Sequence, residues 1–552
     1  MMSRARVFMG LMLLAGGATS ALIACSDDDN NNGPATQDAG ADTGTSETGS
    51  NCPPVQAPTC TSATCSAQFG GDAGFCIEGQ CVAAITDDCK RAGGDLTGEN
   101  QIIVGALLYA DRTGPARVNS LELAIDEINA NGGVPDPDAC KPARKLAFVH
   151  CDDGNAGDAG AATDRIRGGN HLVKDLRAPV VIGNSTSAIT LDVAANVTVP
   201  NRAMQFSPTS TAISITDFAA SPDGTRLLWR AAPSDVGQSA ALQKVFAQVE
   251  AILNKGAAVK VALVTKNDAY GTGIAAAFQQ GLQIGNAAPT GANLKTITFA
   301  VPTGTPPNQD TSSVQAALAA VQSYGPDIVV MVGTEEASRY ILIPYESSHP
   351  NGPLPYYIVA DGQKKDDIVN VFNATPPAGY PSLPAGGGAS LHDRLRGTQP
   401  GVVTQQLTQN FFNFGYKTRY GATSVLSYGM AGTYDIGYMI AYAAAAAKGQ
   451  PITGTLLAQN MQFLVGGTEE IDVGQAALAR GMSAMLGGQK VDFNGASGPL
   501  DFNLEKGEAP SDYSVWCVKN DPNNAGKFAF EEVAGTSYSA RTQTLSGNYK
   551  CP

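Results

Sequence analysis

Ile102-Ile103-Val104-Gly105-Ala106-Leu107-Leu108 and, after a polar link, Leu121-Glu122-Leu123-Ala124-Ile125-Asp126-Glu127-Ile128-Asn129-Ala130-Asn131-Gly132-Gly133 carry the fold. The first stretch is apolar without alternation, the mark of a strand buried on both faces. In the second, Leu121, Ala124, Ile125 and Ile128 fall at i, i+3, i+4 and i+7, one face of a helix, and Gly132-Gly133 stops it. The same alternation continues outward. Leu146 to Val149, Val180 to Ile182, Val261 to Val264 and Ile328 to Val332 are short apolar runs separated by helical patterns. Strand and helix in turn imply parallel α/β sheets. The units up to Ala360 are too many for one short sheet, which predicts two lobes.

Before this region the chain changes character twice. Arg4 and Arg6, an apolar stretch from Val7, and Leu22-Ile23-Ala24-Cys25 read as an export signal over 1–24 that ends in a lipobox, with Cys25 as the acyl acceptor. Residues 25–51 carry Asp27, Asp28, Asp29, Asp38, Asp42 and Glu47 and no Lys or Arg, too little apolar surface to offset ordering entropy, which predicts a disordered acidic tether. Of the eleven cysteines, Cys52, Cys60, Cys65, Cys76, Cys81 and Cys89 cluster, and in an exported chain they predict a small disulfide module over 52–95, paired within itself. Proximity pairs Cys140 with Cys151 and Cys517 with Cys551. A zinc site would want Cys-x2-Cys pairs or a nearby His, and none is present, so no metal is expected.

The net charge of -14 and pI near 4.8 argue against nucleic acid, which needs clustered Lys and Arg. The four His show no His-Glu-x-x-His spacing, and Gly-x-Ser-x-Gly and phosphate-loop motifs are missing. Gly271-Thr272-Gly273 lies too far beyond the strand at Val261 to Val264 to cradle a pyrophosphate. Asp152-Asp153 and Glu335-Glu336 read as solvated turns. No enzyme activity and no cofactor are expected. The Pro- and Gly-rich stretch Thr375 to Ser390 reads as a surface insertion.

Ordered blocks along most of Asn100 to Trp516 carry a resemblance. They are Leu123 to Gly133, Asp152-Asp153, Val181 to Ser187, Val199-Pro200, Ser207 to Thr211, Arg230 to Asp235 with Gln238, Asn267 to Gly271, Tyr434-Asp435 and Phe493 to Phe502. Together they resemble the type I periplasmic binding proteins of the branched-chain amino acid receptor kind. The resemblance implies two Rossmann-like lobes, 99–232 with 397–489 and 233–396 with 490–550. Three crossings would join them, near Arg230 to Pro233, Arg396 to Thr398 and Lys490 to Asp492. It places Ser187, Thr209, Ser210 and Thr211 at a ligand's α-carboxylate, Tyr270 against the ligand, and Asp361 at its α-ammonium. Thr334 stands where amino acid receptors often carry an aromatic residue. The loop after Gly114-Pro115 is also shorter than in the family. The implied protein is a lipid-anchored receptor in the bacterial envelope, periplasmic or surface-facing, that delivers an amino acid or similar solute to an ABC permease. An envelope scaffold or regulatory lipoprotein of the same fold is the alternative.

Overall fold

The computed structural model describes residues 59–547 apart from 112, 139, 155–159, 305–307, 349–353, 373–382, 384–386, 402–405 and 522–527. The export signal, Cys25, the tether, Cys52, Cys551 and most of 375–390 lie outside the described residues.

A short helix, α1 (Ser62–Gln68), and the hairpin β1 (Gly74–Ile77) and β2 (Gln80–Ala83) come first, bridged by Cys60–Cys76 and Cys65–Cys81. Then β3 (Cys89–Gly94), β4 (Ile102–Leu108), β5 (Leu146–Asp152), β6 (Val180–Gly183), β7 (Met204–Ser207) and β8 (Leu228–Arg230) form one sheet, ordered β3-β5-β4-β6-β7-β8. Its neighbours run parallel except β3, which is antiparallel to β5. Successive residues of β4 serve opposite faces. Ile102, Val104, Ala106 and Leu108 enter the core shared with helix α2 (Gly114–Ala130), while Ile103 and Leu107 enter the core behind the sheet. Both faces are covered, so the strand is apolar throughout. Each fully buried Leu or Ile there contributes about 1.5–3 kcal/mol.

The chain passes to a second lobe at helix α3 (Asp235–Leu253). Strands β9 (Val261–Lys266), β10 (Leu294–Phe299), β11 (Ile328–Val332), β12 (Tyr356–Val359) and β13 (Leu395–Pro400) run parallel there in the order β10-β9-β11-β12-β13, with helix α4 (Ala269–Gly281) after β9. The alternation recurs: Val261 and Leu263 pack with Phe246 and Phe278 of α3 and α4, while Ala262 and Val264 pack on the opposite face. A return to the first lobe lays helix α5 (Met430–Ala445) along α2. A Cβ on Gly437 would stand 2.7 Å from the Ala124 Cβ, so glycine is what lets the two helices approach there. Strands β14 (Glu469–Asp472), β15 (Val491–Gly495) and β16 (Gly498–Pro499) form a three-stranded sheet on the same core. A last crossing adds β17 (Tyr513–Asn520), β18 (Phe528–Ser539) and β19 (Thr544–Ser546), antiparallel, beyond β13.

Five expectations need correction. Cys89 pairs with Cys151, not within the cysteine cluster, because β3 lies beside β5 with those two residues in register. Cys151 is therefore closed to Cys140, although Cys140 and Cys517 are each disulfide-bonded. The described part of 52–95 is not a separate module: β3 belongs to the first lobe's sheet, and Phe75 of β1 is buried in the core with Leu107 and Val149. The third crossing is not at Lys490 to Asp492, since Val491, Phe493, Leu500 and Ala509 pack in the first lobe's core and the chain joins the second sheet only at Tyr513. Arg396 to Thr398 lie within β13, so the second crossing follows that strand.

Candidate functional site

The loops after the strands of both sheets meet. Ala269, at the start of α4, packs against Ala212 and Ile215 of the first lobe, and the Asp235 backbone N–H donates to the Thr211 carbonyl (2.9 Å). The two lobes touch here, and Ser187, Thr209, Ser210, Thr211, Asp235 and Tyr270 are buried, while Asp361, Thr334 and Tyr428 are half-buried.

The first lobe contributes a hydroxyl-rich corner after β6 and β7. The expected residues Ser187, Thr209, Ser210 and Thr211 are all here and all buried. The Ser187 hydroxyl accepts from the backbone N–H of Thr211 (3.3 Å) and Ala212 (3.2 Å). Thr209 donates to the carbonyls of Asn184 and Ser185 (3.2 Å each), and Ser210 bonds the Thr190 hydroxyl (2.7 Å). Ser207 takes the Ser210 N–H (3.0 Å). Most donors of this corner are thus spent on shaping the loop, which leaves Ser187 and Thr211 as the hydroxyls best placed to face a solute. Asp153 was read as a solvated turn residue. It is fully buried, because it accepts the Ser185 N–H (2.7 Å) and hydroxyl (3.3 Å), and burial pushes its carboxyl up to about 7.

The second lobe contributes acid. Tyr270, in the first turn of α4 behind the Asp268 cap, donates its hydroxyl to Asp361 (2.8 Å) and accepts the Gly362 N–H (3.1 Å). The two residues expected to touch one ligand are therefore in contact. A Cβ at Gly362 would meet the Gly333 carbonyl at 2.5 Å and the Tyr270 hydroxyl at 2.9 Å, so this turn needs glycine. Burial raises the Asp361 carboxyl, while hydrogen bonds from Tyr270 and Gln238 oppose the rise. Thr334 faces other partners: its hydroxyl bonds Glu336 and receives Lys266 Nζ (3.3 Å). Lys266 is buried between Asp268 (3.2 Å) and Glu336 (3.7 Å), whose charges outweigh burial and raise its pKa. Glu336 is thus a buried ion-pair member and not the solvated residue its turn suggested.

The residue that sequence reasoning missed is Asp235. It opens α3 with 0% exposure, and both carboxylate oxygens lack a hydrogen-bond partner. Burial and the neighbouring carboxylates Asp361 and Asp268 push it well above the usual range, against a weaker pull from Thr211 and Arg230. Nearby, the Gln238 carbonyl oxygen and the Tyr428 hydroxyl are also buried without partners. A closed protein rarely leaves such groups unpaired, because each costs about 1–3 kcal/mol. A group with several N–H donors and a positive charge would satisfy Asp235, Asp361 and Gln238 together. Two surface cavities, of about 620 Å³ beside Asp88, Arg167 and His171 and about 410 Å³ beside Val199, Arg202 and Phe218, lie away from this cleft.

Residues 116–521 match the family described as the receptor family ligand binding region. No curated protein matches the chain. Among solved structures, it is similar to a leucine binding protein of Thermotoga maritima, with 18% identity over 78% of this chain and 97% of that one and a TM-score of 0.53. It is also similar to a branched-chain amino acid transporter substrate binding protein of Streptococcus pneumoniae in complex with isoleucine, with 20% identity, coverage of 79% and 99%, and a TM-score of 0.52. A third is a solute binding protein of an ABC transporter from Rhodopseudomonas palustris in complex with 3,4-dihydroxybenzoic acid, with 15% identity, coverage of 80% and 98%, and a TM-score of 0.52.

Proposed function

The chain belongs to the receptor family ligand binding region, of the type I periplasmic binding protein kind, and from that premise we propose that it is an extracytoplasmic receptor for an amino acid or similar small zwitterion. It is a binding protein and not an enzyme. The solute sits between the lobes with its ammonium on Asp235 and Asp361 and against Tyr270, with Ser187 and Thr211 facing the rest of it, while Thr209, Ser210 and Thr334 shape the loops around it. By holding both lobes it stabilises the shut state, which an ABC permease reads. Acylation at Cys25 anchors the receptor to a bacterial membrane through the acidic tether. No helix among the described residues is long and apolar enough to cross a membrane.

One observation carries the reading: a carboxylate, Asp235, sealed in the cleft beside a second carboxylate, with no partner at good hydrogen-bond geometry and only a weak pull from Thr211. It favours a cation-bearing solute over an aromatic acid, whose carboxylate would be repelled there. It also disfavours the scaffold alternative, which has no use for a buried unpaired acid. Thermal-shift measurements against amino acids, their amides, polyamines and aromatic acids test it. A solute at 100 times its dissociation constant adds about 2.7 kcal/mol of stability. Response to aromatic acids alone, or to nothing in the panel, would overturn the assignment.

A further inference from the structure

The hydroxyl corner was expected to hold the solute's carboxylate, yet Thr209 donates to the Asn184 and Ser185 carbonyls and the Ser210 hydroxyl is bonded to that of Thr190. The first lobe has a stronger donor in Arg117, which lies early in α2 and is 3% exposed. Its Nε donates to the Tyr428 carbonyl (3.1 Å), but Nη1 is buried with no hydrogen-bond partner. Two other buried arginines are paired directly with carboxylates, while Arg226 is satisfied by four backbone carbonyls. Arg230 is bonded to Glu508, and Arg394 makes two bonds to Glu346 (2.7 and 3.0 Å). Among the described residues no carboxylate stands in ion-pair contact with Arg117. Asp153 is near enough to be felt electrostatically, but its oxygens are committed to Ser185.

The position of Arg117 relates it to the cleft. A Cβ on Gly429 would stand 2.3 Å from Thr209 Cγ2 and 2.8 Å from Arg117 Nε, so Thr209 and Arg117 close on the same glycine. Beside it, Tyr428, whose carbonyl accepts from Arg117, feels the charges of Arg117, Asp361 and Asp235, and its hydroxyl has no hydrogen-bond partner. A buried guanidinium with a free N–H is costly unless an anion completes it. The planar fork of Arg suits a carboxylate.

We propose that Arg117 is the anion anchor of the cleft and binds a carboxylate of the solute, opposite the ammonium held by Asp235 and Asp361. This rests on the amino acid reading of the site and assigns the charge that fixes the solute's other end. The solute is then a zwitterion gripped by one lobe at each pole. Its carboxylate is either the α-carboxylate or a side-chain carboxylate.

Isothermal titration of the whole mature protein with leucine, leucinamide, glutamate and glutamine, in wild type, Arg117→Met and Arg117→Lys, tests this. The expected result is that wild type binds at least one of leucine and glutamate, and Arg117→Met weakens that binding roughly 100-fold. Arg117→Lys restores much of the loss, because it returns the charge. A leucine response lost on conversion to leucinamide identifies the α-carboxylate, and a glutamate response lost on conversion to glutamine identifies the side-chain group. Without ligand, Arg117→Met melts no lower than wild type, since it removes an unpaired buried charge; a large fall in that melt would make the residue structural and overturn the proposal. Binding that is the same in wild type and Arg117→Met overturns the role of Arg117 alone. Binding of none of the four by wild type overturns the amino acid reading beneath it as well.

Discussion

Asp235→Asn keeps the shape of the side chain and removes its ability to ionise. In the wild type, burial and the nearby carboxylates hold the Asp235 proton, so the folded state binds protons that the unfolded chain has released. The sign follows: stability falls as pH rises above the unfolded carboxylate range near 4, by up to about 1.4 kcal/mol per pH unit while the folded group stays protonated. The variant loses that slope, so its margin over wild type grows from pH 5 to pH 7. Binding runs the other way. A cationic solute needs the ionised acid, so wild-type affinity rises with pH and binding releases a proton. In the variant a desolvated ammonium meets a neutral acceptor, a loss of about 2–5 kcal/mol. Urea titrations at several pH values measure the first effect. Calorimetry in two buffers of different ionisation enthalpy measures the second. Equal affinity for the solute in wild type and Asp235→Asn, with no proton released by either, would refute the assignment of this carboxylate to the ligand.

Other expectations are direct. Tyr270→Phe leaves the Gly362 N–H unpaired and deprives Asp361 of a donor, and calorimetry should show a loss of about 0.5–1.5 kcal/mol in binding while the fold's circular dichroism is unchanged. Replacing both Cys89 and Cys151 with Ser opens a loop of 62 residues, worth about 4 kcal/mol by chain entropy; denaturant unfolding should show it, and limited proteolysis should begin before β4. Asp153→Asn removes a carboxyl that burial lifts to about 7, so the variant should gain on wild type by up to about 1.4 kcal/mol per unit as pH rises from 5 to 7, and a constant difference across those melts would count against the buried charge. Gly437→Leu should lower the melting temperature, since even a Cβ there meets Ala124 at 2.7 Å and overpacking costs about 1–3 kcal/mol.

What could be read in advance divides along physical lines. Strands such as β4 and β11 were legible because burial on both faces leaves an unbroken apolar run, and every run so identified is a strand. Tyr270 and Asp361 were singled out through the resemblance as separate ligand contacts, and their hydrogen bond to each other was not foreseen. Asp235 sat within a quoted block, Arg230 to Asp235, yet a Ser-Asp pair after proline is the ordinary opening of a helix, and nothing local distinguishes a capping acid from a sealed one. That difference is made by Asp361 and Asp268, which approach from other strands. Arg117 was hidden for the same reason. On a helix surface its charge is unremarked, and only the return of Tyr428 and Gly429 buries it. The third crossing was misplaced because Val491-Asp492-Phe493 alternates as any half-buried strand does, and the pattern does not say which core receives it. The Cys89–Cys151 bridge depends on the register of β3 against β5, a non-local pairing that cysteine spacing does not encode.

The way β3 docks has a mechanical consequence. The chain enters the first lobe through a strand stitched to β5 by hydrogen bonds and by a covalent bridge, so any pull from the residues before it is delivered to that lobe alone. Along the chain the second lobe is joined to the first by three crossings, and the two also touch across the cleft. Under the proposed anchoring at Cys25, the second lobe is the half left to swing on its crossings, and the mooring does not have to follow it.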